Sequence, residues 1–230
     1  MVDKQAAQIR RMFAAVAHRY DFLNHLLSLS LDRLWRRRLR RQLLRRLPEG
    51  SRILDLCTGT GDVAFTLAVA GSVVGADFCH PMLVRAREKA RRRRAPVHFV
   101  EADSLATPFP AESFDAVTIA FGLRNLEDYR RGLREMWRIL RRGGRLAILE
   151  FAIPTTPLFR RLYLFYFTRV LPWIGGLVSG NRGAYSYLPA SVQTFPSPET
   201  LCAELREVGF DEVVRFPQTL GVTVLYLARK

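Results

Sequence analysis

The sequence predicts an α/β domain built on a doubly wound, mostly parallel sheet, and three observations predict it. From Arg52 onward, short apolar runs alternate with helical segments, the pattern of successive βαβ units. The segment from Ile53 to Asp62 carries glycines where a strand turns into a helix. Two final apolar runs lie close enough in sequence to pair as an antiparallel hairpin, which brings the expected sheet to seven strands.

The elements follow in order. Leu31, Leu34, Trp35, Leu39, Leu43 and Leu47 recur at three- and four-residue steps with arginines between them, so residues 1–50 predict a helical layer ahead of the main fold. Strands are predicted at Arg52 to Leu56, Ser72 to Ala76, Val97 to Val100, Asp115 to Ala120 and Arg145 to Glu150. Helices are predicted from Asp62 to Val69, from Pro81 to Arg92 and from Tyr129 to Leu140, the last closed by Gly143. An irregular aromatic stretch comes next, within an insert spanning 154–195. Ser197 and Pro198 then have the character of a cap and first residue for a helix ending at Val208 and stopped by Gly209. Strands from Glu212 to Phe216 and from Gly221 to Ala228 close the chain.

At 230 residues, with 49% apolar content and no repeat, the chain fits a single domain, 1–230. Cys57, Cys79 and Cys202 lack metal-ligand spacing, so no metal is expected; with no signal-peptide pattern, a cytoplasmic location is. No apolar run approaches the ~18 residues of a membrane span. The net charge of +15 suits any polyanion, but only Lys4, Lys89 and Lys230 are lysines, so part of the arginine excess is discounted as coding bias.

A ligand is expected at the glycine turn. Gly59 and Gly61, in the turn with Asp55 and Thr60, let the backbone approach it, and Asp77 ends the second strand about 20 residues on, where a carboxylate meets ribose hydroxyls. Asp103 and Ser104 follow the third strand, where a side-chain acceptor and a backbone amide can take adenine. No diphosphate cradle of the Gly-x-x-x-x-Gly-Lys type is present, which weakens nicotinamide and ATP and favours S-adenosylmethionine.

Narrower patterns lie outside the glycine turn. They are Tyr20-Asp21-Phe22-Leu23-Asn24, Trp35-Arg36, Pro108-Phe109-Pro110, Phe121-Gly122-Leu123-Arg124-Asn125, Leu149-Glu150-Phe151 and Tyr185-Ser186-Tyr187-Leu188. With these the chain resembles, over nearly its whole length, the ubiquinone/menaquinone biosynthesis C-methyltransferase family. The resemblance implies a Rossmann-like class I methyltransferase fold and transfer of a methyl group from S-adenosylmethionine to an aromatic carbon of a polyprenylated quinol. The absence of an N-terminal extension leans toward the naphthoquinol of menaquinone, with the benzoquinol of ubiquinone as the alternative. It also implies that Thr60, Asp77, Asp103 and Ser104 occupy cofactor-contacting positions. The family usually carries Asn at Asp103, Gly and His at Ser30 and Asp32, and Ser or Gly at Ala120; Asp103 still accepts from adenine.

Arg124 and Asn125 follow the fourth strand on the methyl-transfer side and are expected to polarise the quinol hydroxyl, the arginine stabilising a phenolate because its pKa is too high for a base. Tyr20, Asp21, Asn24 and Tyr185 are expected on the substrate side. The aromatic insert, with its arginines, is expected to cover the prenyl tail and to touch an anionic membrane surface. An RNA methyltransferase would suit the charge, but Asn/Asp-Pro-Pro-Tyr and paired catalytic cysteines are missing, so no nucleic acid is expected. The oligomeric state is left open.

Overall fold

The structure is a computed structural model describing residues 6–18, 20–173 and 182–230, side chains of 6 and 182–186 excepted. Three helices lead: α1 (Ala6–Val16), α2 (Tyr20–Leu27) and α3 (Leu31–Leu44). The alternating part follows as β1 (Ser51–Leu56), α4 (Asp62–Leu67), β2 (Gly71–Asp77), α5 (His80–Arg93), β3 (Val97–Glu101), β4 (Phe114–Ala120), α6 (Tyr129–Ile139) and β5 (Leu140–Phe151). The insert holds α7 (Pro157–Phe165) and α8 (Arg182–Thr194), and the chain closes with α9 (Pro198–Val208), β6 (Asp211–Gln218) and β7 (Thr223–Arg229).

These strands form one seven-stranded sheet in the order β3-β2-β1-β4-β5-β7-β6. The first five run parallel, while β7 pairs antiparallel with both β5 and β6. The predicted hairpin therefore exists, with its second strand inserted inside the edge. Helices cover both faces because the parallel strands are apolar on both. Leu133 and Met136 of α6 with Leu201 and Leu205 of α9 bury one face, and Leu39 and Leu43 of α3 with Val63 and Leu67 of α4 bury the other. Helix α3, expected as a layer ahead of the main fold, is thus packed as part of it.

The capping signals act as expected at α9, where the Ser197 hydroxyl accepts from Thr200 N and Gly209 takes φ 110°. Gly143 differs. The helix before it stops at Ile139, because Leu140 turns extended and buries its side chain opposite Phe114, and Gly143 lies inside the first part of β5. The stretch expected to be irregular is largely helical over its described residues. Tyr163, Phe167 and Leu171 fall at four-residue steps and bury together, with a π-turn over Tyr166–Val170 continuing α7. Its aromatic density hid a helical stripe.

Candidate active site

Three strands present their carboxyl ends at one edge, and the chain leaves two of them in unusual conformations. Cys57 after β1 and Phe121 after β4 have φ of 50° and 59°, in the left-handed region that non-glycine residues rarely enter. Gly61 closes the turn at φ 86°, where a Cβ would lie 2.9 Å from the Phe99 ring. Asp55 supports this turn from beneath, accepting from the hydroxyls of Thr58 and Thr118, each at 2.6 Å. Burial pushes its carboxyl up to about 6, against the pull of those two hydroxyls.

Gly59, Asp77, Asp103 and Ser104 line a cavity of about 300 Å³, with Phe78, Met82 and Leu105 as its apolar wall. Asp77 is fixed by Cys79 N on one oxygen and Gly59 N on the other, both at 2.8 Å, and burial raises its carboxyl to about 6. Each oxygen keeps a second lone pair, which a vicinal diol can engage. The side-chain-free Gly59 leaves its flank open, the nearest atom to a Cβ there being Tyr20 Cε1 at 3.9 Å. A buried acceptor pair, an exposed carboxylate at Asp103 and an apolar wall fit an adenine nucleoside.

Thr60 faces the other way. Its hydroxyl donates to Asp21 Oδ1 at 2.5 Å and accepts from Lys89 Nζ at 3.0 Å. Lys89 also reaches Asp21 Oδ2 at 2.8 Å and Asp62 Oδ1 at 2.5 Å, tying α2 to the start of α4. Arg36 continues the chain, pairing with Asp62 at 2.7 Å and with Asp32 at 3.1 Å, and Asp32 also takes His25 Nδ1. Burial pushes the Asp62 carboxyl upward, but Arg36 and Lys89 outweigh it and hold it below the usual range. Asp32, where the family usually has His, is in this way a fully partnered carboxylate.

A second, apolar cavity of about 450 Å³ adjoins the first. Phe13, Tyr20 and Phe121 line both. Asn24, Trp35, Phe151, Tyr163 and Phe167 build much of the second wall, so the N-terminal helices and the insert converge on it. Burial raises the Tyr20 phenol above its ordinary pKa, while Asn24 and the charge of Arg124 pull it down. Arg124, 6% exposed, lines the same cavity, as does Arg36. The Arg124 Nη1 donates to Glu150 Oε1 at 2.8 Å and to the Phe121 carbonyl at 2.5 Å, and its backbone N–H reaches Glu150 Oε2 at 3.2 Å. Asn125 borders the first cavity and donates to the same Phe121 carbonyl at 3.2 Å, while its Oδ1 accepts from Tyr187.

The sequence-predicted residues are therefore divided: Gly59, Asp77, Asp103, Ser104 and Asn125 border the first cavity, Asn24 and Arg124 the second, and Tyr20 both. Asp55 and Gly61 shape the turn, and Asp21 and Thr60 join in the clasp with Lys89. The Tyr185 side chain lies outside the described residues. Glu150, Lys89, Phe13 and Tyr187 were not anticipated as site residues. For Glu150 the signal was present, since an apolar strand end carrying one carboxylate beside an arginine-bearing loop asks for an ion pair.

Comparison with known proteins agrees with this architecture. The chain is 52% identical to the demethylmenaquinone methyltransferase of Thermus thermophilus, over 94% of this chain and 98% of that protein. It is 46% identical to the ubiquinone/menaquinone biosynthesis C-methyltransferase UbiE of Geobacter sulfurreducens, over 100% of this chain and 91% of that protein. Among solved structures, a SAM dependent methyltransferase from Aquifex aeolicus shares the fold with a TM-score of 0.57 at 19% identity, over 82% of this chain and 88% of that one. The family model of the ubiE/COQ5 methyltransferase family matches residues 1–230, and the chain belongs to that family.

Proposed function

We propose that this chain methylates a ring carbon of a polyprenylated quinol, demethylmenaquinol in the first place, with S-adenosylmethionine as donor. One observation carries the reading: a nucleoside-sized cavity with a buried diol acceptor meets an apolar cavity whose wall includes the buried guanidinium of Arg124. The names of the Thermus thermophilus and Geobacter sulfurreducens relatives point to the same acceptors.

S-adenosylmethionine, when bound, supplies a methyl group already activated on a sulfonium. Asp77 would hold the ribose hydroxyls, and Asp103 and Ser104 the adenine edge. Phe13, Tyr20 and Phe121, shared by both cavities, would keep water from the junction and align the acceptor carbon with the methyl group. Ionising a quinol hydroxyl pushes electron density onto the adjacent ring carbon, and Arg124, locked by Glu150, would stabilise that oxyanion electrostatically. Asn125, held by Tyr187 and the Phe121 carbonyl, fixes the loop carrying it. Side-by-side incubation of the protein with labelled S-adenosylmethionine and demethylmenaquinol or its benzoquinol counterpart tests this. Faster methylation of the naphthoquinol is expected, and label in neither product would overturn the reading.

The same reading includes contact with an anionic membrane surface. Leu158, Leu162 and Phe165 of α7 are 72%, 61% and 65% exposed at helical spacing, next to Arg160 and Arg161. Leu29 and Leu162 are both exposed and line the apolar cavity, so a prenyl chain would enter from this face. Among the described residues no helix is long and apolar enough to cross a membrane.

A further inference from the structure

The apolar cavity contains a polar group that the reaction scheme above does not use. Tyr163, on α7, is 8% exposed and lines the cavity wall. Its hydroxyl is buried and has no hydrogen-bond partner among the described residues. Two other tyrosines of that wall are satisfied: Tyr166 donates to the Leu27 carbonyl at 2.9 Å and Tyr187 to Asn125 Oδ1 at 3.2 Å. A buried phenol with no protein partner is costly unless another group completes it.

A second unsatisfied donor lies in the same wall. The Nε of Arg124 is also buried without a partner among the described residues. A continuous aromatic path joins the two groups. Tyr163 stacks on Phe167 with ring centroids 4.9 Å apart, Phe167 meets Phe151 at 6.2 Å, and the Arg124 guanidinium lies 5.3 Å over the Phe151 ring. Burial pushes the Tyr163 phenol well above its ordinary pKa, and the Arg124 charge opposes that rise, so the guanidinium lies within electrostatic reach. At neutral pH the phenol keeps its proton and acts as a donor.

Two unpartnered donors, buried on side chains that line one apolar chamber, suit an oxygen that gains negative charge. We propose that the Tyr163 hydroxyl donates a hydrogen bond to a ring oxygen of the acceptor, holding the ring between this phenol and the guanidinium of Arg124. The proposal rests on the quinol reading and adds to it the residue that reads the oxygen.

Tyr163→Phe removes only the hydroxyl. Wild-type turnover with demethylmenaquinol is measured first; its absence overturns the function, and this proposal with it. Given turnover, the variant is expected to bind S-adenosylmethionine within about twofold of wild type and to melt no lower, because the lost group was unpaired, yet to lose about tenfold to a hundredfold in kcat/KM for the quinol. Competitive inhibition separates hydrogen bonding from packing. The oxidised quinone should weaken in the variant, whereas a naphthalene with the same prenyl tail and no ring oxygen should not. Unchanged kcat/KM, or equal weakening of both inhibitors, would overturn the proposal while leaving the function standing.

Discussion

Arg124 and Glu150 form an ion pair 2.8 Å long at the carboxyl edge of the sheet, with side-chain exposures of 7% and 1%. Removing one partner strands the other charge, at a cost of about 3–5 kcal/mol. Arg124→Met and Glu150→Gln should therefore each melt lower than wild type, and each should lose turnover. The double variant should recover much of the stability and none of the turnover. If the double variant turns over at the wild-type rate, Arg124 only holds the loop.

The Asp77 carboxyl titrates at about 6 because burial disfavours its charge. Ribose hydroxyls donate to the ionised form, so protonation competes with the cofactor. Affinity for S-adenosylmethionine should fall by roughly tenfold per pH unit below about 6. Asp77→Asn should bind more weakly at neutral pH and show no such slope. Calorimetric titration across this range checks both; a flat wild-type profile contradicts the assignment.

Asp55 is shifted in the same direction, and its effect on stability runs the opposite way with pH. Its folded value of about 6 stands above the ordinary carboxylate value of 3.8, so the protonated carboxyl favours the fold and that contribution drains as pH rises from 3.8 to about 6. The loss amounts to about 3 kcal/mol. Asp55→Asn can still satisfy the Thr58 and Thr118 hydroxyls, which accept as well as donate. Urea denaturation should show a flatter pH dependence in the variant between about pH 4 and 6, and identical slopes would contradict this.

Lys89 is the clasp between the N-terminal helices and the cofactor turn, with 19% of its side chain exposed and Asp21 at 35%. Partly screened pairs contribute about 0–1 kcal/mol, so Lys89→Met should fold with little loss. Its effect should be kinetic: S-adenosylmethionine should dissociate severalfold faster, measured by stopped flow. An unchanged off-rate would mean that the cover does not gate the cofactor.

Leu158 and Phe165 face outward from α7 and touch neither cavity. Leu158→Ser with Phe165→Ser should abolish sedimentation with anionic vesicles at low salt while sparing methylation of a short-tailed acceptor. Failure of the wild-type protein to sediment would remove the membrane from the scheme.

The alternating strands, the placing of Asp77 and Asp103 beside the glycine turn and that of Arg124 after the fourth strand were legible because each depends on local pattern. Leu56, Ala76 and Ala120 end runs that could be only buried strands, and Asp77 follows one of them directly. The Glu150 partnership depended on register: Ala120 pairs with Leu149, so the residues after them become neighbours across strands that are distant in sequence. The insert was illegible for a different reason. Tyr163, Phe167 and Leu171 form a helical stripe, but aromatic residues lie on its outer face as well, so the period was blurred. The clasp escaped because Lys89 lies on α5 among solvated arginines, and nothing local marks it as the residue that folds back over α4.

Helix α3 buries Leu39 and Leu43 completely against the sheet while its first turns supply Asp32, Trp35 and Arg36 to the apolar cavity and its clasp. The wall of the apolar cavity and the main core are therefore wired through one element. A relative's preference could not be transplanted as a cassette cut at residue 50, because the graft would bring foreign packing into the main core. Changes of acceptor are accessible instead to single substitutions on the cavity side of α2 and α3, which leave the buried stripe alone.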